Sequence, residues 1–234
     1  IAVAYCVVIV FLGMIGYLVK FMVQDSQEII NNPANKRQEL LAERIVRGDI
    51  VSSDGRVLAT TETDQKGNET RVYPYKNVFC HVVGRVWNSK TGIELEQSFP
   101  LLTSHVNPLK QLSNQLQGQK NQGDIVVTTL NAKLQQIAYD ALGNQRGAVV
   151  AIEPSTGKIL AMVSKPDYDP NTVRSEWDSL VADEGGNSAL LNRATQGLYP
   201  PGSTFKLYTL LEYMRENEDF NKFSYRCTGK IGTG

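Results

Sequence analysis

Histidine and cysteine are scarce in this chain. Of its 234 residues only His81 and His105 are histidines, and only Cys6, Cys80 and Cys227 are cysteines. No C-x-x-C pair occurs, so the spacing gives no support to a structural zinc site. Cys80 and Cys227 could pair outside the cell, but the expectation is free, mostly buried thiols. An excess of charge of one sign is also missing, since 24 Lys and Arg balance 24 Asp and Glu. There is no basic tract with interleaved aromatics, so nucleic acid is not an expected partner. The length suffices for one or two domains with a real core.

What the chain does have is one long apolar run. IAVAYCVVIVFLGMIGYLV, Ile1 to Val19, has no charge before Lys20. At 1.5 Å per residue such a helix spans roughly 28 Å, close to a bilayer core. A helix buried in a soluble domain rarely stays apolar on every face for that long. A cleaved signal peptide has a shorter apolar core and a small-residue cleavage site, whereas the exit here is VQDSQEIINNP. The run reads as an uncleaved anchor over residues 1–23. Asp25 and Glu28 at its exit are only weak guides to orientation, because acidic residues contribute little to the topology rule.

Residues 24–47 are polar and helix-friendly, with Leu40, Leu41 and Ile45 as one narrow apolar stripe. They read as a stalk. RGDIVSSDGRVLATT predicts two strands around a turn, Ile50-Val51 and Val57-Leu58, because Asp54-Gly55 between apolar pairs is a hairpin signal. ETDQKGNETR reads as a loop, and NVFCHVVGRVW, Asn77 to Trp87, as a strand. QLSNQLQGQKNQG, Gln111 to Gly123, is rich in amides and poor in apolar residues, which predicts a linker or exposed boundary. DIVVTTL reads as a strand. Asn131 is placed to cap a helix in which Leu134, Ile137, Ala138, Ala141 and Leu142 keep helical spacing and Gly143 suits the stop. Gly147–Glu153 and Lys158–Ser164 predict two strands joined by Pro-Ser-Thr-Gly turn chemistry. The expected class is α+β, an antiparallel sheet covered by helices.

Two Ser-x-x-Lys strings occur, Ser155–Lys158 and Ser203–Lys206. A lysine that activates a serine must bring its amine to the hydroxyl and accept the proton. One helical turn puts residues three apart on neighbouring positions of one face. Ser155 lies in the predicted hairpin turn, where helical geometry and a neutral lysine are not expected. Ser203 follows Pro200-Pro201-Gly202 and opens a good helix former, TFKLYTLLEYMREN. At 100° per residue, Ser203, Lys206, Leu207, Leu210 and Met214 share a face, which the apolar residues mark as buried. Burial disfavours an ammonium and lowers a lysine pKa, and a helix N-terminus offers N–H groups to an oxyanion. The alternative is that Ser203 caps the helix and Lys206 reaches solvent. On the local pattern the two readings stand even.

Longer strings break the tie. NRATQGLYPPGSTFKL, Asn192 to Leu207, closely resembles the active-site serine region of penicillin-binding proteins. GAVVAIEPSTGKILAMVSKPDYDPN, from Gly147, is similar to the strand pair that opens their transpeptidase domain, and TTLNAKLQQIAYDAL to the helix before it. RGDIVSSDGRVLATT resembles the start of the non-catalytic pedestal of class B members, and GIELEQSFPLL a later pedestal segment. The resemblance implies an anchor (1–23), a stalk and mixed α/β pedestal (24–122) and the first part of a transpeptidase domain (123–234). It implies that Ser203 is the nucleophile that attacks the D-Ala-D-Ala amide of a peptidoglycan stem peptide. Lys206 would be the general base, and β-lactams would acylate the same serine. No metal or organic cofactor is implied. The expected location is the bacterial cytoplasmic membrane, single-pass with the bulk of the chain outside, and an implied partner is a membrane-embedded glycan polymerase of the SEDS type.

The chain departs from that pattern in one respect. The family site also needs Ser-x-Asn and then Lys-Thr-Gly after the nucleophile. No Ser-x-Asn occurs, and Lys90-Thr91-Gly92 lies upstream, where it reads as a loop turn. The expectation is therefore an N-terminal portion of a longer protein, not competent by itself. A β-lactam sensor, a class D-like β-lactamase and a non-catalytic scaffold for the polymerase are the competing readings. The absence of a glycosyltransferase-like segment between anchor and pedestal argues against class A.

Overall fold

In the computed structural model of the chain, which describes residues 2–25, 37–183, 185–227 and 229, the apolar run is a helix, Ala2–Lys20. Its large side chains, from Val3 to Val19, are all exposed. A helix apolar on every face has no water-compatible side, so it requires apolar surroundings. Tyr5–Val23 is long and apolar enough to cross a bilayer. Residues 26–36 of the expected stalk lie outside the described residues. Beyond them come a short helix, Arg37–Ala42, and strand β1, Ile45–Val46. The stripe of Leu40, Leu41 and Ile45 is thus split between helix and strand.

The chain divides into two compact units, residues 1–197 and 198–234. In the first, β2 (Ile50–Val51) and β3 (Val57–Thr63) form the expected antiparallel hairpin, with Ile50 opposite Ala59. The following polar stretch corrects the loop reading, because β4 (Glu69–Val72) pairs antiparallel with β3. Only the tip turns. There Asp64 accepts the Lys66 and Asn68 N–H groups, each at 2.8 Å, an Asx-type turn that needs no apolar signal. Two further short strands, β5 (Asn121–Gln122) and β6 (Val126–Val127), pair in parallel with β1 and β2. The four-stranded sheet runs β4-β3-β2-β6, so the strand expected over Asp124–Leu130 narrows to two residues.

Two expectations fail here for physical reasons. Asn77–Trp87 is not a strand. It is a 3-10 turn, Lys76–Phe79, continuing into a helical turn, Cys80–Val83. Phe79 and Val83 are buried in the core with Ile50 and Leu101, and Cys80 against Tyr168 and Val173, so tertiary contacts on more than one side outweigh the β preference of the valines. Gln111–Gly123 is mostly exposed, as the second of its two readings has it, but it is not an unstructured linker. Helix Pro108–Leu116 occupies its first half and β5 its end. The amides that look solvent-loving act as ties: Gln111 Nε2 donates to the carbonyls of Ser104 and Val106, at 3.2 and 2.9 Å, and Asn114 donates to Asn121 at 2.9 Å.

The later part of this unit follows the sequence closely. The Asn131 side chain accepts the Leu134 N–H at 2.8 Å and caps the helix Ala132–Leu142. Strands β7 (Gly147–Ile152) and β8 (Ile159–Lys165) form the predicted hairpin, with Val149 opposite Val163. Ala138 on that helix packs with Ala161 and Val163 of β8. Gln135, fully buried, satisfies both ends of its amide: Nε2 donates to the carbonyls of Val78 and Met162, and Oε1 accepts the Met162 N–H, all at 2.8 Å. Helix Val173–Ala182 brings Trp177 edge-on to Trp87, ring centroids 5.5 Å apart. The architecture is mixed α and β, with mainly antiparallel pairing and helices laid on it.

Candidate active site

The approach to the serine is built on Asn192 and Arg193. Asn192 caps a single helical turn, Arg193–Gln196, by accepting the Ala194 N–H at 3.1 Å. Arg193 is buried, yet its guanidinium makes no ion pair among the described residues; it donates to the main-chain carbonyls of Asn187, Ser188 and Leu191. Its own N–H goes to Ser164 Oγ at 2.9 Å, on β8. A buried guanidinium is tolerable only when its donors are taken, and here they staple the 187–191 loop to the hairpin. Sequence reasoning took Arg193 as part of a string and missed this role; a lone arginine carries no signal of its partners.

The second unit holds Ser203 and Lys206. Gly202, just before the serine, has φ +55°, and a Cβ there would meet nothing within 4 Å. Conformation rather than space therefore selects glycine, because the left-handed region is costly for other residues. Gly202–Thr204 forms a 3-10 turn that runs directly into helix Phe205–Glu216. Thr204 stands at the helix cap without a side-chain capping bond, and its hydroxyl donates back to the Pro201 carbonyl. Ser203 is thus not the cap, and its hydroxyl has no hydrogen bond among the described residues. Lys206 follows three residues on, in the helix's first turn.

The expected burial of this face is corrected. Ser203, Lys206, Leu207, Leu210 and Met214 are all exposed, and no hydrogen bond joins Ser203 to Lys206 among the described residues. The unit supplies one helix and a short 3-10 turn, Phe220–Lys222, with Tyr213 resting edge-on against Phe223 at 5.4 Å. An apolar helix face is buried only when a second layer covers it, and such a layer is not among the described residues of this unit. The burial expected for Lys206 is therefore absent among the described residues.

The competing motifs take structural places. Ser155 and Lys158 flank Gly157, φ +73°, in the exposed β7–β8 turn. Lys90-Thr91-Gly92 leads into a short helix, Gly92–Glu96, and Thr91 Oγ1 accepts the Arg85 N–H at 3.2 Å. The cysteines are free, but only Cys80 is buried, while Cys6 and Cys227 are exposed. Both exceptions sit where no packed core forms around them, on the apolar N-terminal helix and in the 198–234 unit. Among the described residues no group of His, Cys, Asp and Glu could hold a metal ion.

One constellation escaped the sequence altogether. Glu94, with no exposed surface, receives Arg47 Nε at 2.6 Å on one oxygen and Arg71 Nε at 2.7 Å on the other. Tyr73 adds its hydroxyl at 3.3 Å, and its pKa is pushed well above the ordinary value by burial and by the Glu94 charge. The participants lie up to 47 residues apart, and no local spacing marks them.

Comparison with known proteins bears on residues 147–229, which match the family model described as the penicillin binding protein transpeptidase domain. The peptidoglycan D,D-transpeptidase PbpA of Mycolicibacterium smegmatis is 38% identical over 194 residues, 76% of this chain and 39% of that protein. The peptidoglycan D,D-transpeptidase MrdA of Escherichia coli K12 is 34% identical over 179 residues, 61% of this chain and 28% of that protein. Among solved structures, the imipenem acyl-enzyme complex of penicillin-binding protein A from M. tuberculosis superposes with a TM-score of 0.63 at 36% identity, over 73% of this chain and 42% of that one. The chain thus spans about two-fifths of the length of these PbpA-type relatives.

Proposed function

We propose, for a chain that belongs to the class B penicillin-binding proteins and is a portion of one, that Ser203 is the acylating nucleophile of a peptidoglycan D,D-transpeptidase and Lys206 its general base. The observation that carries the reading is local. Ser203 sits in the turn that starts a helix, Thr204 occupies the capping position, and Lys206 follows one turn on. The matched stretch, residues 147–229, contains both. Lys206 Nζ would accept the Ser203 Oγ proton as Oγ attacks the carbonyl carbon between the two D-alanines. The C–N bond breaks and D-alanine departs with the proton. The amine of a neighbouring stem then attacks the ester, re-forms an amide and releases Ser203. A β-lactam would open on the same oxygen. None of these steps calls for a metal or organic cofactor.

The rest of the chain fits around that site. Residues 1–23 would anchor the protein in the bacterial cytoplasmic membrane as a single pass, with the bulk of the chain outside. Residues 24–122 would form stalk and pedestal, the surface offered to a SEDS-type polymerase, and 123–234 the opening part of the transpeptidase domain. A sensor or a β-lactamase is less well supported, since the relatives above carry transpeptidase names. Labelling of the full-length protein with a fluorescent penicillin tests the reading. Slowly released label that is absent from the Ser203→Ala variant is expected; rapid turnover, or label that survives Ser203→Ala, would sink it.

A further inference from the structure

The helix Pro108–Leu116 presents its apolar side to solvent and its amides to the fold. At about 100° per residue, Leu112 and Leu116 lie about 40° apart on its surface, Asn114 lies opposite them and Gln111 about 120° round. A surface helix of a soluble domain normally sets its apolar stripe against the core and its amides toward water. Here Gln111 and Asn114 tie the helix down, through the Ser104 and Val106 carbonyls and through Asn121. Leu112 is 55% exposed and Leu116 81%. The amide bonds fix the roll of the helix, so the leucines cannot turn inward without breaking them.

This surface lies where the chain arrives from its apolar N-terminal helix. Just after the 108–116 helix, β5 pairs in parallel with β1. Lys120 Nζ donates to the carbonyl of Ala42 at 2.9 Å, the last residue of the helix Arg37–Ala42. Leu40 of that helix is also exposed. From Asp25 to Arg37 the chain is only twelve residues long, which holds this edge within about 40 Å of the apolar helix even at full extension. The charge has one sign: Gln97–Gly123 contains Lys110 and Lys120 and no Asp or Glu. Lys120 is paired with Glu69 at 2.7 Å, and Lys110 is exposed.

We propose that the 108–116 helix docks on the surface of the membrane that holds the anchor, Leu112 and Leu116 entering the boundary between headgroups and acyl chains and Lys110 meeting anionic headgroups. Apolar burial combined with attraction to anionic lipid is how interfacial helices bind. So short a helix binds weakly from solution, but the anchor makes docking intramolecular and raises the local concentration of lipid. A single tether leaves the pedestal free to swivel over the bilayer, and the second contact removes that freedom. The inference rests on the reading of residues 1–23 as an anchor and is independent of Ser203.

Fluorescence quenching in vesicles tests it. The full chain carrying Leu116→Trp is reconstituted in phosphatidylcholine–phosphatidylglycerol vesicles with brominated acyl chains. The parent chain supplies the background from Trp87 and Trp177, and a Tyr17→Trp chain reports on the anchor. The Leu116→Trp chain is expected to lose fluorescence to the bromolipid beyond that background. Adding Leu112→Gln, at an exposed position, should lower the ratio of docked to free helix about tenfold, and adding Lys110→Glu should also reduce the quenching. Quenching in Tyr17→Trp without any in Leu116→Trp would overturn the docking alone and leave the leucines to a protein partner or a second copy of the chain. Quenching of Leu116→Trp unchanged by Leu112→Gln would overturn it too. Absence of quenching in Tyr17→Trp would overturn the anchor reading, and this inference with it.

Discussion

Asn171 clasps the backbone of Tyr73 from both sides: its Oδ1 accepts the Tyr73 N–H at 2.9 Å and its Nδ2 donates to the Tyr73 carbonyl at 3.0 Å. The residues are 98 positions apart, so the side chain stands in for a strand partner beyond the edge of β4. Asn77 to Asp167, at 2.8 Å, and Tyr168 to the Cys80 carbonyl, at 3.3 Å, tie the same two regions.

Asn171→Ala removes both bonds to Tyr73, with a third to Asp169 Oδ1, and leaves the backbone groups of a buried residue unmet. The expected loss is about 1–2 kcal/mol, read as a lower denaturant midpoint with an unchanged m-value. Asn171→Asp retains the acceptor but loses the donor, and it sets a second carboxylate against Asp169, whose Oδ1 now takes the Asn171 amide at 2.8 Å, so its midpoint should fall at least as far as that of Asn171→Ala.

Replacing Glu94 should cost more. Glu94→Gln keeps the shape but leaves the Arg47 and Arg71 guanidiniums buried with no counter-charge. Breaking a buried pair from one side typically costs about 3–5 kcal/mol, much of the stability of a domain this size. Thermal unfolding should report it, and adding Arg71→Met to Glu94→Gln should recover part of the loss. A double variant less stable than the single by the full value of a second break would refute the charge argument.

The triad also shows what sequence reading can reach. The β7–β8 hairpin, the Asn131 cap and the Gly143 stop were legible because each rests on neighbours within a few residues, where turn and cap chemistry act. Phe79–Val83 was not, since its helical turn is chosen by the core that Phe79 and Val83 enter with Ile50 and Leu101. The amide-rich 111–123 stretch misled because amides serve solvent and structural ties equally well. At the candidate site, the helix that holds Lys206 was legible, whereas Ser203 falls in the 3-10 turn that precedes it. Whether the helix's apolar face is covered depends on a second layer, which no property of the helix itself specifies.

Burial makes His81 a pH-dependent element. The ring is buried, its Nε2 lies 3.2 Å from the Pro166 carbonyl, and Tyr168 meets it edge-on at 5.5 Å. Desolvation holds its pKa below the ordinary 6.5, the Pro166 carbonyl and Asp167 opposing this in part and Arg193 reinforcing it. The unfolded chain therefore binds the proton more readily than the folded one. Stability from this group is fully present above about pH 6.5 and is lost as pH falls through the lower folded pKa. Between pH 7 and 5 the full chain should lose stability more steeply than His81→Gln, which cannot titrate. Parallel stability profiles for the two would refute the assignment.

Ser203 and Lys206 make separable kinetic predictions in the full-length protein. In the proposed mechanism acylation would consume the Ser203 oxygen itself, so Ser203→Ala should abolish covalent penicillin labelling rather than slow it. Lys206 would there only move a proton, and general-base catalysis contributes about 10²- to 10⁴-fold. Lys206→Gln should therefore slow acylation by that order while leaving the label on Ser203. Acylation by Lys206→Gln at the wild-type rate would remove the lysine from the mechanism while leaving the serine in place.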